Sequence, residues 1–292
     1  MRKRVTLGVV IGALALSGLA VPAAQADGSS TSHGTSAEQL LRAAHAENSA
    51  KSSYRAAAEG ELDVSFSNFK IAKAIKVGTA TKTSTTVTYK LTHAAGIDVT
   101  SPDFDTFPYL YRGAFETSTL WLFGDDSATC TVTSATTADC KGKIDIYPSE
   151  ELRNVDAGTW RGAAMAWDFG GSGDFADQGS LGTTLVQRNS TLTVNATPEP
   201  VKKGKTITVT GKLSRANWET GKYAGYSSQS VKLQFRKKNA TSYTTVKTIK
   251  TNSKGELKTT VKASQDGYFR YSYAGNTATP AVNAAGDYID VR

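Results

Sequence analysis

From Thr191 to Arg292 the chain alternates apolar and polar residues in short segments that turn residues separate. Val231, Leu233 and Phe235 share one parity, and the residues between them are polar or basic. Such period-two patterning is what a strand with one buried face requires. The parity breaks within Tyr243–Lys250, which indicates a β-bulge. This part of the chain is therefore predicted to be an antiparallel β-sandwich.

A second β domain is predicted upstream, over residues 61–188. The segment around Tyr89 alternates apolar and polar residues, and Leu120–Phe123 is a continuous apolar run, typical of a central strand. No Pro- or Ser-rich linker precedes the downstream domain, residues 189–292, so the two domains should pack against each other. The pattern predicts an all-β protein of two tandem β-sandwich domains.

The N-terminus has the features of a secretory signal peptide, residues 1–26. Three basic residues precede an apolar run over Leu7–Val21, and small residues close it at Ala26. A retained membrane anchor is the alternative, but the run is short for a bilayer and three glycines interrupt it. We expect a mature, secreted, extracellular chain that starts at Asp27 and has no membrane span.

Residues 27–60 form an N-terminal segment whose first part is polar and rich in Ser and Gly, which predicts disorder. Thr35–Glu59 is rich in alanine, begins with a capping-box pattern, and has Leu40, Leu41 and Ala44 at helical spacing. This pattern predicts a short helix. Its apolar face is thin, so a flexible spacer and a packed element are both compatible with it.

The charge of the chain is unevenly distributed. The formal net charge is +8, and three of the positive charges belong to the predicted signal peptide. From residue 199 onward there are 17 Lys and Arg against 6 Asp and Glu, a net charge of +11, so residues 27–198 are acidic. A basic face attracts anionic partners or keeps a sandwich soluble and its edges unpaired. No nucleic-acid-binding motif is present, so an anionic cell-wall polymer is the expected kind of partner.

The two cysteines, Cys130 and Cys140, are predicted to form a disulfide. An even, isolated pair in an exported chain is typical of one, and ten residues apart the two fit facing strands of a hairpin. A redox pair is the alternative, but the Cys-x-x-Cys spacing is absent.

Four segments of the downstream domain resemble the bacterial immunoglobulin-like (Ig-like) modules of secreted actinobacterial proteins, a poorly characterised family. The segments are Pro200–Leu213, Val231–Lys238, Thr244–Thr248 and Asp266–Gly275. The likeness covers residues 190–292, and the upstream domain resembles the N-terminal part of the same family less specifically. The resemblance implies two Ig-like β-sandwiches in an extracellular setting and carries no catalytic residues.

Clusters of aspartates in the acidic domain are candidate calcium ligands. Calcium takes six to eight oxygen ligands, and loops that gather carboxylates at one end of a sandwich could supply them. Aspartate is also a favoured turn residue, so solvated turns are the alternative. The candidates fall in three presumed loops: Asp98, Asp103 and Asp105; Asp125 and Asp126; and Asp168, Asp174 and Asp177.

Three aromatic residues form a candidate ligand-binding group. Trp218, Tyr223 and Tyr226 fall in the connection before Val231, and rings held by a loop can stack on sugars. Core packing is the commoner role of such rings and remains the alternative.

These observations predict a non-enzymatic protein. There is no Gly-x-Ser-x-Gly motif and no Cys/His pairing, so a nucleophile has no visible support. No cofactor is expected, apart from the possible calcium. We expect a secreted binding or structural module of the cell surface or medium. A carbohydrate or wall-polymer binding protein and a calcium-stabilised adhesion module are the alternatives.

Overall fold

The computed structural model describes residues 41–42, 62–170 and 174–292. The predicted signal peptide lies outside the described residues, as does all of the N-terminal segment except Leu41 and Arg42. The described residues form nineteen strands and two short helical turns, Pro148–Glu151 and Asn154–Asp156. No helix in these ranges is long and apolar enough to cross a bilayer.

The upstream strands form two facing sheets, which we call the front sandwich. One sheet has the order β1-β3-β7-β6 and is antiparallel, and the other has the order β2-β9-β8-β4-β5, with β2 parallel to β9. The strands are β1 Val64–Lys70, β2 Ala74–Val77, β3 Thr83–His93, β4 Phe104–Tyr111, β5 Trp121–Leu122, β6 Thr129–Ser134, β7 Thr137–Ile146, β8 Gly158–Asp168 and β9 Asp174–Arg188.

The downstream strands form a second pair of sheets, the rear sandwich. In one sheet β12 pairs with β10 and β11 on one side and with β13 and β16 on the other, and in the second the order is β15-β14-β17 followed by β18 and β19. The strands are β10 Ser190–Leu192, β11 Asn195–Thr197, β12 Thr206–Asn217, β13 Lys222–Gly225, β14 Ser230–Lys237, β15 Thr244–Lys250, β16 Glu256–Lys262, β17 Gly267–Tyr273, β18 Val282–Asn283 and β19 Asp287–Ile289.

Both sandwiches have the strand order of Ig-like domains. The front sheets correspond to the four-stranded and the extended sheet of that fold, and each rear sheet contains five strands. The predicted fold class is therefore confirmed. The predicted disulfide is also present, and Cys130 pairs directly with Cys140 across β6 and β7. It joins two neighbouring strands of one sheet, whereas antibody domains bridge the two sheets.

Each sandwich has its own hydrophobic core, and two residues from the rear part of the chain, Ala216 and Trp218, belong to the front core. Trp218, which follows β12, is 1% exposed and packs in the front core, where its indole N–H donates to the Val77 carbonyl at 3.2 Å. Nearby, the Asn154 amide donates to Asn217 at 2.9 Å and to Glu219 at 2.8 Å. The two sandwiches are thus in direct contact, as the missing linker predicts.

The second front sheet is buried on both faces. Its outer face carries an aromatic cluster that includes Tyr109, Tyr111 and Met165, all fully buried. Leu41 belongs to the same cluster and is also fully buried, and the Arg42 guanidinium lies 5.0 Å from the centroid of the Trp121 ring. The N-terminal segment is therefore a packed element at Leu41, one of the two alternatives that its sequence left open.

We expect Leu41→Ala to lower the free energy of unfolding by about 2–4 kcal/mol, because it removes a buried side chain from this cluster. Val155→Ala is the matched control, since Val155 is 72% exposed and its truncation should cost less than about 0.5 kcal/mol. Urea unfolding of the full chain measures both. Equal stabilities of the two variants would show that Leu41 does not hold the outer face.

Three local features depart from or refine the expectation. Leu120–Phe123 is not a central strand: it contains β5, a two-residue strand at the edge of its sheet. The run is apolar because Leu122 faces the front core while Trp121 and Phe123 join the outer cluster. The predicted β-bulge is confirmed, since Leu233 pairs with Lys247 and the next residue of β14 pairs with Thr245.

Candidate binding surface

The outer face of the rear sheet β15-β14-β17 carries a row of arginine and tyrosine side chains. Inward positions such as Leu233 and Tyr271 are buried in the rear core, so the alternate residues of β14 and β17 point outward. The register places Arg236 opposite Tyr268, and Tyr268 opposite Tyr288 on β19. We call this set the Tyr–Arg strip; its members are Arg236, Lys238, Tyr243, Tyr268, Arg270 and Tyr288.

Cationic groups and aromatic rings alternate along the strip. The Arg270 guanidinium lies 3.8 Å from the centroid of the Tyr243 ring. That of Arg236 lies 4.3 Å from the Tyr268 ring and 5.3 Å from the Tyr243 ring. The Tyr268 and Tyr288 rings follow at 5.2 Å. These distances are those of cation–π contacts, which hold the arginines extended against the sheet.

The two arginines keep their charge available to an external ligand. Arg236 donates to the Ala240 carbonyl at 2.7 Å, and Arg270 donates to the Gln234 side-chain oxygen at 2.9 Å. Both partners are neutral. Among the described residues, neither guanidinium forms an ion pair with a carboxylate.

One carboxylate, Asp266, lies at the end of the strip and is fully engaged there. It accepts from the Val291 amide at 2.9 Å and from the Tyr288 hydroxyl at 3.1 Å, and the Lys238 ammonium is 3.7 Å away. The Val291 amide, followed by the Tyr288 hydroxyl, lowers the pKa of Asp266. The hydrogen bond between the Lys238 ammonium and Tyr288 raises the pKa of Lys238. This carboxylate therefore anchors the strip and leaves the arginines unneutralised.

The chemistry of the strip suits binding. A guanidinium presents a planar fork of donors that matches phosphate and carboxylate oxygens, and tyrosine faces stack on flat or apolar ligand surfaces. Tyrosine and arginine are also the residues most enriched at energetic hot spots of interfaces.

The structure separates the three aromatic residues that the sequence grouped as a ligand site. The Trp218 ring fills the front core and has no face open to a sugar. Tyr223 is 39% exposed on β13, and its hydroxyl accepts from Asn189 at 3.1 Å. Tyr226 is covered by the Arg215 guanidinium, 3.8 Å from its ring centroid. These three residues therefore form no shared binding surface, because Trp218 is buried in the front core and the ring of Tyr226 is covered by Arg215.

The structure brings only some of the candidate calcium ligands together: Asp168 lies opposite Asp174 across β8 and β9, and opposite Phe104, next to Asp103, across β8 and β4. Asp98 accepts from the Thr100 amide at 2.9 Å and from its hydroxyl at 2.6 Å, and the hydroxyl bond is the main reason that the pKa of Asp98 is lowered. Asp125 accepts from the Tyr147 hydroxyl at 2.6 Å and pairs with Lys82 at 2.9 Å. The Asp98 carboxylate therefore stabilises its own turn, and the Asp125 carboxylate joins Tyr147 and Lys82.

The remaining aspartates do not complete a metal site. Asp105, Asp174 and Asp177 lie in β4 and β9, where loops were expected. Asp168 accepts from the Gly170 amide at 3.0 Å, and Asp177 accepts from the buried Tyr109 hydroxyl at 2.6 Å. The other two candidates are Asp103 and Asp126. Within 62–170 and 174–292, no three acidic, His or Cys side chains come together to hold a metal.

The alternation along β17 puts Tyr268 and Arg270 on one strand face, but no local pattern in the sequence indicates the rest of the strip. Tyr243 and Tyr288 lie far from them in the chain and reach the same surface only through the pairing of β17 with its neighbours. The available signal was the outward parity of Tyr268 and Arg270 on a strand whose alternate residues are Phe269, Tyr271 and Tyr273.

The front sandwich has a groove of about 330 Å³ beside its disulfide. It opens where β1 bulges away from β3, next to Asn68, whose φ of +52° belongs to the left-handed region. Lys90 at its wall is already paired with Asp139 at 2.7 Å, so its charge is less available than that of the strip. The remaining lining residues are Lys70, Thr88, Tyr89, Cys140 and Lys141.

Comparisons with known proteins identify no family for this chain. No protein-family model matches the chain, and no curated protein matches its sequence. Among solved structures, the I67–I69 fragment of titin is 12% identical over 78% of this chain and 65% of that fragment, with a TM-score of 0.29. The Escherichia coli adhesin FdeC is 15% identical over 80% of this chain and 65% of its own, with a TM-score of 0.31. The D00–D0 domain of intimin is 16% identical over 77% of this chain and 99% of its own, with a TM-score of 0.25.

The chain thus spans 65% of the length of the first two structures. Identities and TM-scores this low identify no family and assign no ligand.

Proposed function

We propose that the protein is a non-enzymatic binding module of the cell surface or extracellular medium, and that its Tyr–Arg strip binds an anionic polymer. The class of polymer is one that bears phosphate or carboxylate groups, as wall polymers do. The two sandwiches would hold the strip as a rigid surface, because their strands position its side chains.

The observation that carries this proposal is the pair of arginines that have no carboxylate partner in the part of the chain that the structure describes. Arg236 and Arg270 are held against tyrosine rings at 4.3 and 3.8 Å, so little side-chain entropy remains to be lost on binding. A repeating anion would meet several cationic groups along one face. The net charge of +11 after residue 199 would attract it over a longer range.

The extracellular location is inferred mainly from the sequence. The predicted signal peptide supports an extracellular location, and a disulfide such as Cys130–Cys140 persists in an oxidising compartment. The Ig-like sandwich is compatible with many functions, so the proposal depends on the strip rather than on the fold.

We expect the mature chain to bind purified cell walls and soluble polyphosphate, and to bind neutral dextran much less. Affinity should fall as salt increases, since exposed charges are screened over about 8 Å at physiological ionic strength. Replacing both arginines, Arg236→Gln with Arg270→Gln, should weaken polyphosphate binding at least about tenfold, through the loss of two charged contacts. Titration calorimetry measures these affinities.

The matched control is Lys258→Gln with Lys262→Gln, which removes the same charge from β16 on the opposite face of the rear sandwich. This variant should bind within about twofold of the unaltered chain if the strip is the site. If the two double variants lose polyphosphate affinity equally, the strip is not the site and binding is a diffuse attraction to the net positive charge. Binding to dextran that salt does not change would favour the carbohydrate alternative, with tyrosine stacking as its basis.

A further inference from the structure

The turn Asn276–Thr279 is held by both sandwiches at their joint. From the front sandwich, Gln187 donates its amide to the Asn276 carbonyl at 2.8 Å, and the Arg188 backbone N–H donates to the Ala278 carbonyl at 3.0 Å. From the rear sandwich, the Arg215 guanidinium donates to the Thr279 hydroxyl at 3.3 Å. The Arg188 side chain reaches the same junction through the carbonyl of Ala216, the residue after Arg215 in β12.

Arg188 is a charged residue that is buried at the joint between the two sandwiches. It is 7% exposed, and its guanidinium Nε donates to the Ala216 carbonyl at 2.6 Å. Neither Arg188 nor Arg215 forms an ion pair with a carboxylate anywhere in the described ranges. Buried charges in proteins are normally paired, because an uncompensated charge is costly to remove from water.

The pKa of Arg188 also indicates an excess of positive charge at the joint. Burial, and after it the neighbouring charge of Arg215, lower the pKa of Arg188 to about 10. Glu219 acts in the opposite direction, but Asn154 already occupies its carboxylate, with its amide side chain at 2.8 Å and its backbone N–H at 3.2 Å. The joint therefore has an excess of positive charge and free guanidinium donors.

We propose that Arg188 and Arg215 together bind a small oxyanion, a phosphate or a carboxylate group, at the joint between the two sandwiches. The two guanidiniums supply charge-assisted donors of the geometry that such groups accept. The turn Asn276–Thr279 and β12 hold the arginines in position. Because the residues come from both sandwiches, the bound anion stabilises their contact. This site is independent of the Tyr–Arg strip.

The test is the melting temperature of the full chain in sodium phosphate, sodium acetate and sodium chloride at equal ionic strength. Phosphate should raise the melting temperature above the chloride value in a saturable way, by about 3–6 °C at ten times its dissociation constant. Acetate acting equally well would identify a general oxyanion site, and phosphate acting alone would identify a site for phosphate groups.

Variants distinguish this site from non-specific salt effects. Arg188→Met and Arg215→Gln should each abolish the rise, whereas Arg112→Met, which removes an arginine already paired with Asp156 at 3.4 Å, should keep it. Should Arg188→Met fail to fold, Arg215→Gln alone decides, since Arg215 is only half-buried. Arg270→Gln should also keep the rise, so a failure of the strip proposal is separable. An undiminished rise in both joint variants, or no rise above chloride in the unaltered chain, would overturn the proposal.

Discussion

Replacing Leu233 with Asp should unfold the rear sandwich, lowering its free energy of unfolding by more than about 4 kcal/mol. Leu233 is fully buried at the centre of the rear core, on β14, between β15 and β17. A carboxylate there would be removed from water without a cationic partner. Loss of dispersion in the amide spectrum of the full chain, most pronounced for residues after about 189, is the expected result.

The matched control for this substitution is Val246→Asp. Val246 is 49% exposed at the β-bulge of β15, so the same change of apolar group to carboxylate should cost less than about 1 kcal/mol. Urea unfolding followed by circular dichroism measures both variants. A Leu233→Asp protein as stable as the Val246→Asp protein would contradict the assigned inward face of β14.

Trp218→Ala should lower the free energy of unfolding by about 3–5 kcal/mol, the usual cost of truncating a buried aromatic side chain. The ring belongs to the rear sandwich in sequence but fills space in the front core, and its N–H donor is satisfied by Val77. We therefore expect both sandwiches to lose stability. Unfolding monitored separately in each sandwich by hydrogen exchange tests this coupling.

Tyr223→Ala is the control for Trp218→Ala, since Tyr223 lies five residues later, is 39% exposed, and should cost less than about 1 kcal/mol. The same reasoning bears on whether residues 189–292 fold alone. The rear core is complete within that range, but the isolated fragment would expose Trp218 to water. A fragment with a blue-shifted, buried tryptophan spectrum would be incompatible with the crossing side chain.

Local patterning predicted the parts of the fold that depend on one strand at a time. The alternation around Tyr89 and Leu233 identified inward faces correctly, because a strand's side chains must alternate whatever its neighbours are. The disulfide was predictable for a similar reason, since ten residues and a turn bring Cys130 and Cys140 opposite each other. The bulge in β15 showed as a break in the same alternation.

Features that depend on two surfaces meeting were not predictable in this way. Leu120–Phe123 appears central because both of its faces are buried, yet one face is covered by the sheet opposite and the other by the cluster that contains Leu41. Trp218 appears to belong to a ligand-binding loop, yet it packs in the other sandwich. An apolar run in the sequence indicates that its residues are buried, but it does not indicate which part of the protein covers them.

The candidate binding sites show the same division. Outward parity was correct for Lys232, Arg236, Lys258 and Lys262, but the first two lie on the face of β14 and the others on the opposite face, on β16. Sequence alone determined the β-sandwich architecture, the inward and outward positions and the basic character of the rear half, because these follow from alternation and charge. Only the tertiary structure decided which outward residues share a surface, since strand pairing brings together residues such as Tyr243, Tyr268 and Tyr288 from distant parts of the chain.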